Sequence, residues 1–76
     1  MICYSCGKNK NELGPFQSEI LKGTTLYMCQ TCVDSRFEPR WVIILGGRQK
    51  GPEHVKDYIT KRRYVGKTIT AEELIA

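Results

Sequence analysis

Two cysteine pairs constrain this chain more than any other feature it has. Cys3-x-x-Cys6 and Cys29-x-x-Cys32 stand 22 residues apart, a spacing of the kind used by two-knuckle metal sites. Cysteines three positions apart on a tight turn place both sulfurs on one edge of a tetrahedron. The second pair supplies the opposite edge once a hairpin brings the chain back. Gly7, directly after Cys6, suits such a turn, because a residue there often needs a positive φ. Four thiolates fill every position of a tetrahedral Zn2+ and leave none for water or substrate, so the pattern reads as one structural zinc held by Cys3, Cys6, Cys29 and Cys32. A redox dithiol or disulfide pair and an iron centre are the alternatives. A thioredoxin-like site, however, needs a βαβ context that neither pair has.

Length explains why such a site is needed. With 76 residues, 41% of them hydrophobic, the chain buries too small a core for burial alone to offset its conformational entropy. The expectation is a single domain over residues 1–76, with a four-cysteine zinc-binding part (1–38) and an extension (39–76) packed against it. Between the pairs, Phe16, Ile20 and Leu21 precede Lys22-Gly23-Thr24, and Thr25-Leu26-Tyr27-Met28 leads into Cys29. Two β-favouring arms around a glycine-containing turn predict a hairpin. Residues 31–37 then predict a short helix, which Pro39 prevents from continuing. Knuckle, hairpin and a helix carrying the last ligands make a treble-clef order, in a small α+β zinc-stabilised domain.

The segments ICYSCGK and YMCQTCVD resemble the four-cysteine zinc domain at the N-terminus of the Clp-protease unfoldase. The likeness covers residues 2–34. It implies a treble clef with Cys3, Cys6, Cys29 and Cys32 as ligands, able to dimerise and to dock protein substrates and adaptors. The unfoldase's ATPase module has no counterpart in this sequence. The second half, from EPRWVIILGGR onward, resembles small zinc proteins of tailed phages and their bacterial hosts, a likeness that implies no particular function.

In that second half, Trp41-Val42-Ile43-Ile44-Leu45 is apolar at every position, so its period does not separate a buried strand from a buried helical turn. β-branching and the Gly46-Gly47 stop favour a short strand with Trp41 as a core anchor, although Pro39 would also suit the start of a helix. Gly51-Pro52-Glu53 opens a helix. Val55, Tyr58 and Ile59 fall on one face of it, Lys61-Arg62-Arg63 forms its last turn and Gly66 is its stop. Thr70-Ala71-Glu72-Glu73 is a capping box before Leu74 and Ile75, and predicts a short final helix.

Charge is concentrated in one block. Residues 1–35 carry three cations and three acids, residues 36–67 nine cations and three acids, and the last nine residues two acids, for a net +4. Zinc in a four-thiolate site makes that site −2, so the molecule is polarised, with an acidic metal end and a basic +6 block. Arg48, Lys50, Lys61, Arg62, Arg63 and Lys67 are the candidate contact residues for nucleic acid or a nucleoprotein machine, with Tyr58 or Tyr64 available for stacking; the alternative is an ordinary solvated helix end and loop. The glycines flanking Arg48 would let backbone approach a phosphate, although no P-loop is present. The rival partner is a protein, either through an adaptor role or through inhibition of a host machine by a phage product, and a homodimer is compatible with both. His54 is the sole histidine, so the paired histidines of a treble-clef nuclease are missing and no enzymatic role is expected. The first residues lack an apolar signal region and no run spans a bilayer, so the expected location is the cytoplasm of a bacterium or phage-infected host.

Overall fold

The first cysteine pair sits on a tight turn in which the Cys3 amide donates to the Lys8 carbonyl and the Gly7 amide to the Cys3 carbonyl, both at 3.0 Å. Gly7 has φ 75°, the conformation expected of a glycine there. The computed structural model describes residues 1–75. Its elements are β1 (Gly14–Gln17), β2 (Thr25–Met28), α1 (Gln30–Ser35), β3 (Glu38–Pro39), α2 (Arg40–Lys50), α3 (Pro52–Thr60), β4 (Tyr64–Val65) and α4 (Ala71–Leu74).

β1 and β2 form the expected antiparallel hairpin, with Phe16 opposite Leu26 and Pro15 opposite Tyr27. The strand period of two turns Phe16, Leu26 and Met28 into the core and leaves Pro15, Gln17, Thr25 and Tyr27 outside. Gly23 makes the turn at φ 86°. Ile20 and Leu21, expected on an arm, lie in the connecting loop instead, and Ile20 is driven into the core at 1% exposure. α1 closes earlier than predicted. Arg36 adopts the left-handed conformation (φ 58°) and its amide returns to the Val33 carbonyl, so the helix has ended before Pro39 can act on it.

The run 41–45 is not a strand but the first half of α2. Pro39 at its N-cap is extended (φ −62°, ψ 146°), and helical period then sorts the apolar run: Val42 and Ile43 are buried, while Trp41 and Leu45 face outward. The glycine pair read as a stop lies inside this helix for a packing reason. A Cβ on Gly46 would stand 2.4 Å from Ile20 Cγ2, and one on Gly47 would stand 2.6 Å from Leu74 Cδ2 and 3.2 Å from Val55 Cγ2. The hairpin loop, α3 and α4 thus all press against the backbone of α2, and only glycine permits that approach. Both glycines are buried and present no backbone to an outside phosphate.

Pro52 begins α3 as predicted, with Glu53 in the first turn and Val55 buried. The helix ends at Thr60, not near Gly66. Arg62 takes the left-handed conformation (φ 54°); its amide donates to the Ile59 carbonyl and the Arg63 amide to that of Tyr58. This is a Schellman closure with arginine where glycine is usual. It frees residues 64 and 65 to form β4, which pairs in parallel with β3. The capping box at Thr70 and Glu73 is formed as predicted and α4 buries Leu74.

One core joins the two halves. Phe16, Ile20, Leu26 and Met28 of the hairpin pack with Val42, Ile43, Val55, Tyr64, Ile69 and Leu74, and Cys3, Cys29 and Cys32 belong to the same cluster. Glu38, 1% exposed, pins the hairpin loop to β3 by accepting from the Glu19 amide (2.7 Å) and the Ser18 hydroxyl (3.1 Å). Both oxygens of this buried carboxyl group are thereby engaged, as burial of a polar group requires. Among the described residues no helix is long and apolar enough to cross a membrane.

Candidate metal centre and cationic edge

The hairpin carries the second cysteine pair back to the first. Met28 ends β2, Cys29 becomes the extended N-cap of α1 and Cys32 lies in its first turn. All four sulfurs fall within 4.8 Å of one another, with Cys6 to Cys29 at 3.9 Å and Cys29 to Cys32 at 3.4 Å. Sulfurs around a tetrahedral zinc lie about 3.8 Å apart, from a Zn–S bond near 2.3 Å. The four cysteines are therefore a cluster that can hold one metal ion.

The surroundings favour negative sulfur. Amides of Cys29 (3.2 Å), Ser5 (3.4 Å) and Cys6 (3.5 Å) all point at Cys3 Sγ. Burial acts to raise the Cys3 thiol, but these amides outweigh it and bring it down to about 6. Cys32 behaves oppositely: burial and the neighbouring sulfurs of Cys29, Cys3 and Cys6 push it up to about 12. Four thiols cannot all ionise side by side unless a cation compensates them. Ser5 Oγ, beside this cluster, is the one buried side-chain polar atom without a hydrogen-bond partner among the described residues. Lys8 and Lys10 line a cleft of about 340 Å3 beside the sulfurs, together with Thr31, Ser35 and Val65 of β4. Their charge is of the sign that would offset a metal-filled four-thiolate site.

The six cationic candidates separate into two sets. Lys50 Nζ donates to the Ile20 carbonyl at 3.3 Å, Lys61 pairs with Asp57 at 3.3 Å, and Arg63 lies over the Tyr58 ring and 3.9 Å from Glu19. Each of these three is engaged by its own neighbourhood. Arg48, Arg62 and Arg40, the last marked by no motif, are instead bonded to backbone carbonyls of the 66–73 segment, in which Lys67 itself lies. Arg62 Nη2 donates to the Gly66 carbonyl (3.1 Å), and Gly66 lies against the Arg40 side chain. Arg40 Nε donates to the Lys67 carbonyl (3.2 Å) while its Nη2 pairs with Glu73, and Arg48 Nε donates to the Glu73 carbonyl (2.8 Å). The Thr70 amide and the Arg40 guanidinium hold the Glu73 carboxyl below its ordinary range. The basic block thus forms a connected cationic edge, not a uniform face. The only sequence signal for Arg40 was its position between Pro39 and Trp41.

The aromatic residues are redistributed as well. Tyr64 is buried in the core, and Tyr58 donates its hydroxyl to Glu19 (2.8 Å) beneath Arg63, so neither ring is free for stacking. Trp41 is not the core anchor expected of it. It is 42% exposed, its Nε1–H donating to the Tyr4 carbonyl at 2.7 Å. Compared with models of protein families, with curated proteins and with solved structures, the chain matches none.

Proposed function

We propose that this chain is a zinc-stabilised treble-clef module that works by binding, without catalysis, and that its partner is nucleic acid or a nucleic-acid machine. The observation that carries the reading is the connected edge of Arg40, Arg48, Arg62 and Lys67 along residues 66–73. The Arg48 and Arg62 guanidinium groups, each held by a backbone carbonyl through one N–H and left with others to offer, suit phosphate oxygens. The one zinc, on Cys3, Cys6, Cys29 and Cys32, supports the fold that positions this edge.

Salt tests the proposal. With Arg40 already paired to Glu73, three cations (Arg48, Arg62 and Lys67) each neutralising one phosphate give an affinity that falls with log salt at a slope of about −2 to −3. Arg48→Gln, on the exposed side of α2, should reduce that slope by about 1. Binding that ignores ionic strength, or no binding at low salt, refutes it. The second reading, a protein adaptor or an inhibitor of a host machine, is favoured by the exposed apolar residues Trp41 and Leu45 one turn apart on α2. It predicts capture of one specific partner that survives nuclease treatment and high salt.

A further inference from the structure

The exposed side of α2 is unusual for a helix on a globular surface. Positions 41, 45 and 48 share one face, and they are Trp41, Leu45 and Arg48, all exposed, while Val42, Ile43, Gly46 and Gly47 face the core. Three cations and no acid lie in the whole helix. Trp41 does not stand alone. Its indole N–H is bonded to the Tyr4 carbonyl (2.7 Å), and the Tyr4 amide is bonded to the Tyr27 carbonyl (3.2 Å). Tyr4 is 53% and Tyr27 52% exposed. Three exposed aromatic residues from three separate elements (the first knuckle, β2 and α2) are thereby linked, Trp41 to Tyr4 and Tyr4 to Tyr27, through backbone groups of the two tyrosines.

We infer that this linked set, Tyr4, Tyr27 and Trp41, is a stacking platform for unpaired bases, so that the nucleic acid taken by the module is single-stranded. The inference rests on the nucleic-acid reading above and narrows its substrate class. Every base has a π face, and exposed aromatic side chains beside cations are the means by which single strands are held without reading sequence. The polar handle of Trp41 is already satisfied within the protein, which leaves its ring face as what it offers outward. Arg48 lies on the same side of α2, two turns beyond Trp41, with Arg40 joining it to the cationic edge. One ring and one cation are therefore carried on the same side of one helix, about 10 Å apart along its axis. A duplex hides its base faces and can use only the cations.

Trp41 is the sole tryptophan, so its emission reports this surface directly. The metal-loaded chain is titrated at low salt with oligothymidylate, with a dA·dT duplex of equal length, and with inorganic polyphosphate. The expected result is saturable quenching of Trp41 by the single strand, and binding without quenching for the duplex and polyphosphate. Tyr27→Ala should weaken the single strand by about 5- to 100-fold and leave polyphosphate affinity unchanged. Tyr27→Leu, which keeps an apolar side chain on the strand but no ring, should show the same loss if the alanine variant folds poorly. Single-strand binding with unaltered Trp41 emission, or undiminished in both Tyr27 variants, overturns the platform and leaves the nucleic-acid reading standing. Failure of all three probes to bind at low salt overturns both, and leaves the exposed side of α2 to an apolar peptide.

Discussion

Replacing Gly46 by alanine sets two opposed effects against each other, and the structure decides the sign. In an exposed helix the change would stabilise by about 1 kcal/mol, because alanine is the better helix former. Here the new Cβ would stand 2.4 Å from Ile20 Cγ2 and 3.4 Å from Val55 Cγ1, against an ordinary carbon contact of about 3.5–4.0 Å. Ile20 is 1% exposed and β-branched, so its χ1 is stiff and the methyl cannot swing aside. α2 must therefore move off the hairpin loop by about 1 Å, at the upper end of the roughly 1–3 kcal/mol that overpacking costs. The net expectation is a loss of about 2 kcal/mol, a large share of the roughly 4–11 kcal/mol available to a chain this size. Urea unfolding at fixed free zinc reads it as a midpoint lower by about 1–2 M, with an unchanged slope. Gly47→Ala is the internal control. Its nearest obstacle is Leu74 Cδ2 at 2.6 Å, the far end of a flexible side chain on a one-turn helix, so its loss should be clearly smaller. A Gly46→Ala protein more stable than the parent would refute the close packing of α2 on the loop.

Three other outcomes follow from the same geometry. Removing the metal should unfold most of the chain, since zinc binding of about 10–16 kcal/mol exceeds the whole folding free energy expected here; a cooperative thermal transition in far-UV circular dichroism after exhaustive chelation would contradict this. Tyr58, held at about 12 by burial and by its hydrogen bond to the Glu19 carboxylate, lies above the unfolded value of about 10. Its stabilising contribution is therefore complete below pH 10 and lost as pH rises from 10 toward 12. Phenolate absorbance should show one of the four tyrosines ionising late, and Tyr58→Phe should remove that late step; an identical curve would exclude the assignment. Arg62→Gly relieves a left-handed arginine and should stabilise by up to about 1 kcal/mol while weakening polyanion binding. A thermal midpoint that falls would mean that the hydrogen bond of Arg62 to the Gly66 carbonyl and the stacking of its guanidinium over the Tyr64 ring, 5.4 Å from the centroid, outweigh its backbone strain.

The metal cluster, the hairpin, the start of α3 and the final capping box were legible in the sequence because each depends on neighbours a few residues away. Cys-x-x-Cys places two sulfurs by turn geometry, Gly7 and Gly23 supply the positive φ their turns need, Pro52 presets a helical φ, and Thr70 and Glu73 cap each other. The closure of α3 was also local, yet illegible. Arginine occupies the left-handed position that is ordinarily recognised by glycine, so the eye passes over Arg62 to Gly66.

What only the tertiary structure decided is the conformation of residues 41–45 and the grouping of the charges. An apolar run without period is compatible with strand or helix. The helix prevails because Ile20, Val55 and Leu74 converge on Gly46 and Gly47 from segments 26, 9 and 27 residues away, contacts that no local signal reports. That choice moves Trp41 from the core to the surface beside Tyr4, and sets Arg40 and Arg48 against the 66–73 segment. The four-cysteine cluster is thus a property of the sequence, while the surface that would meet a partner is a consequence of how closely one helix can be approached.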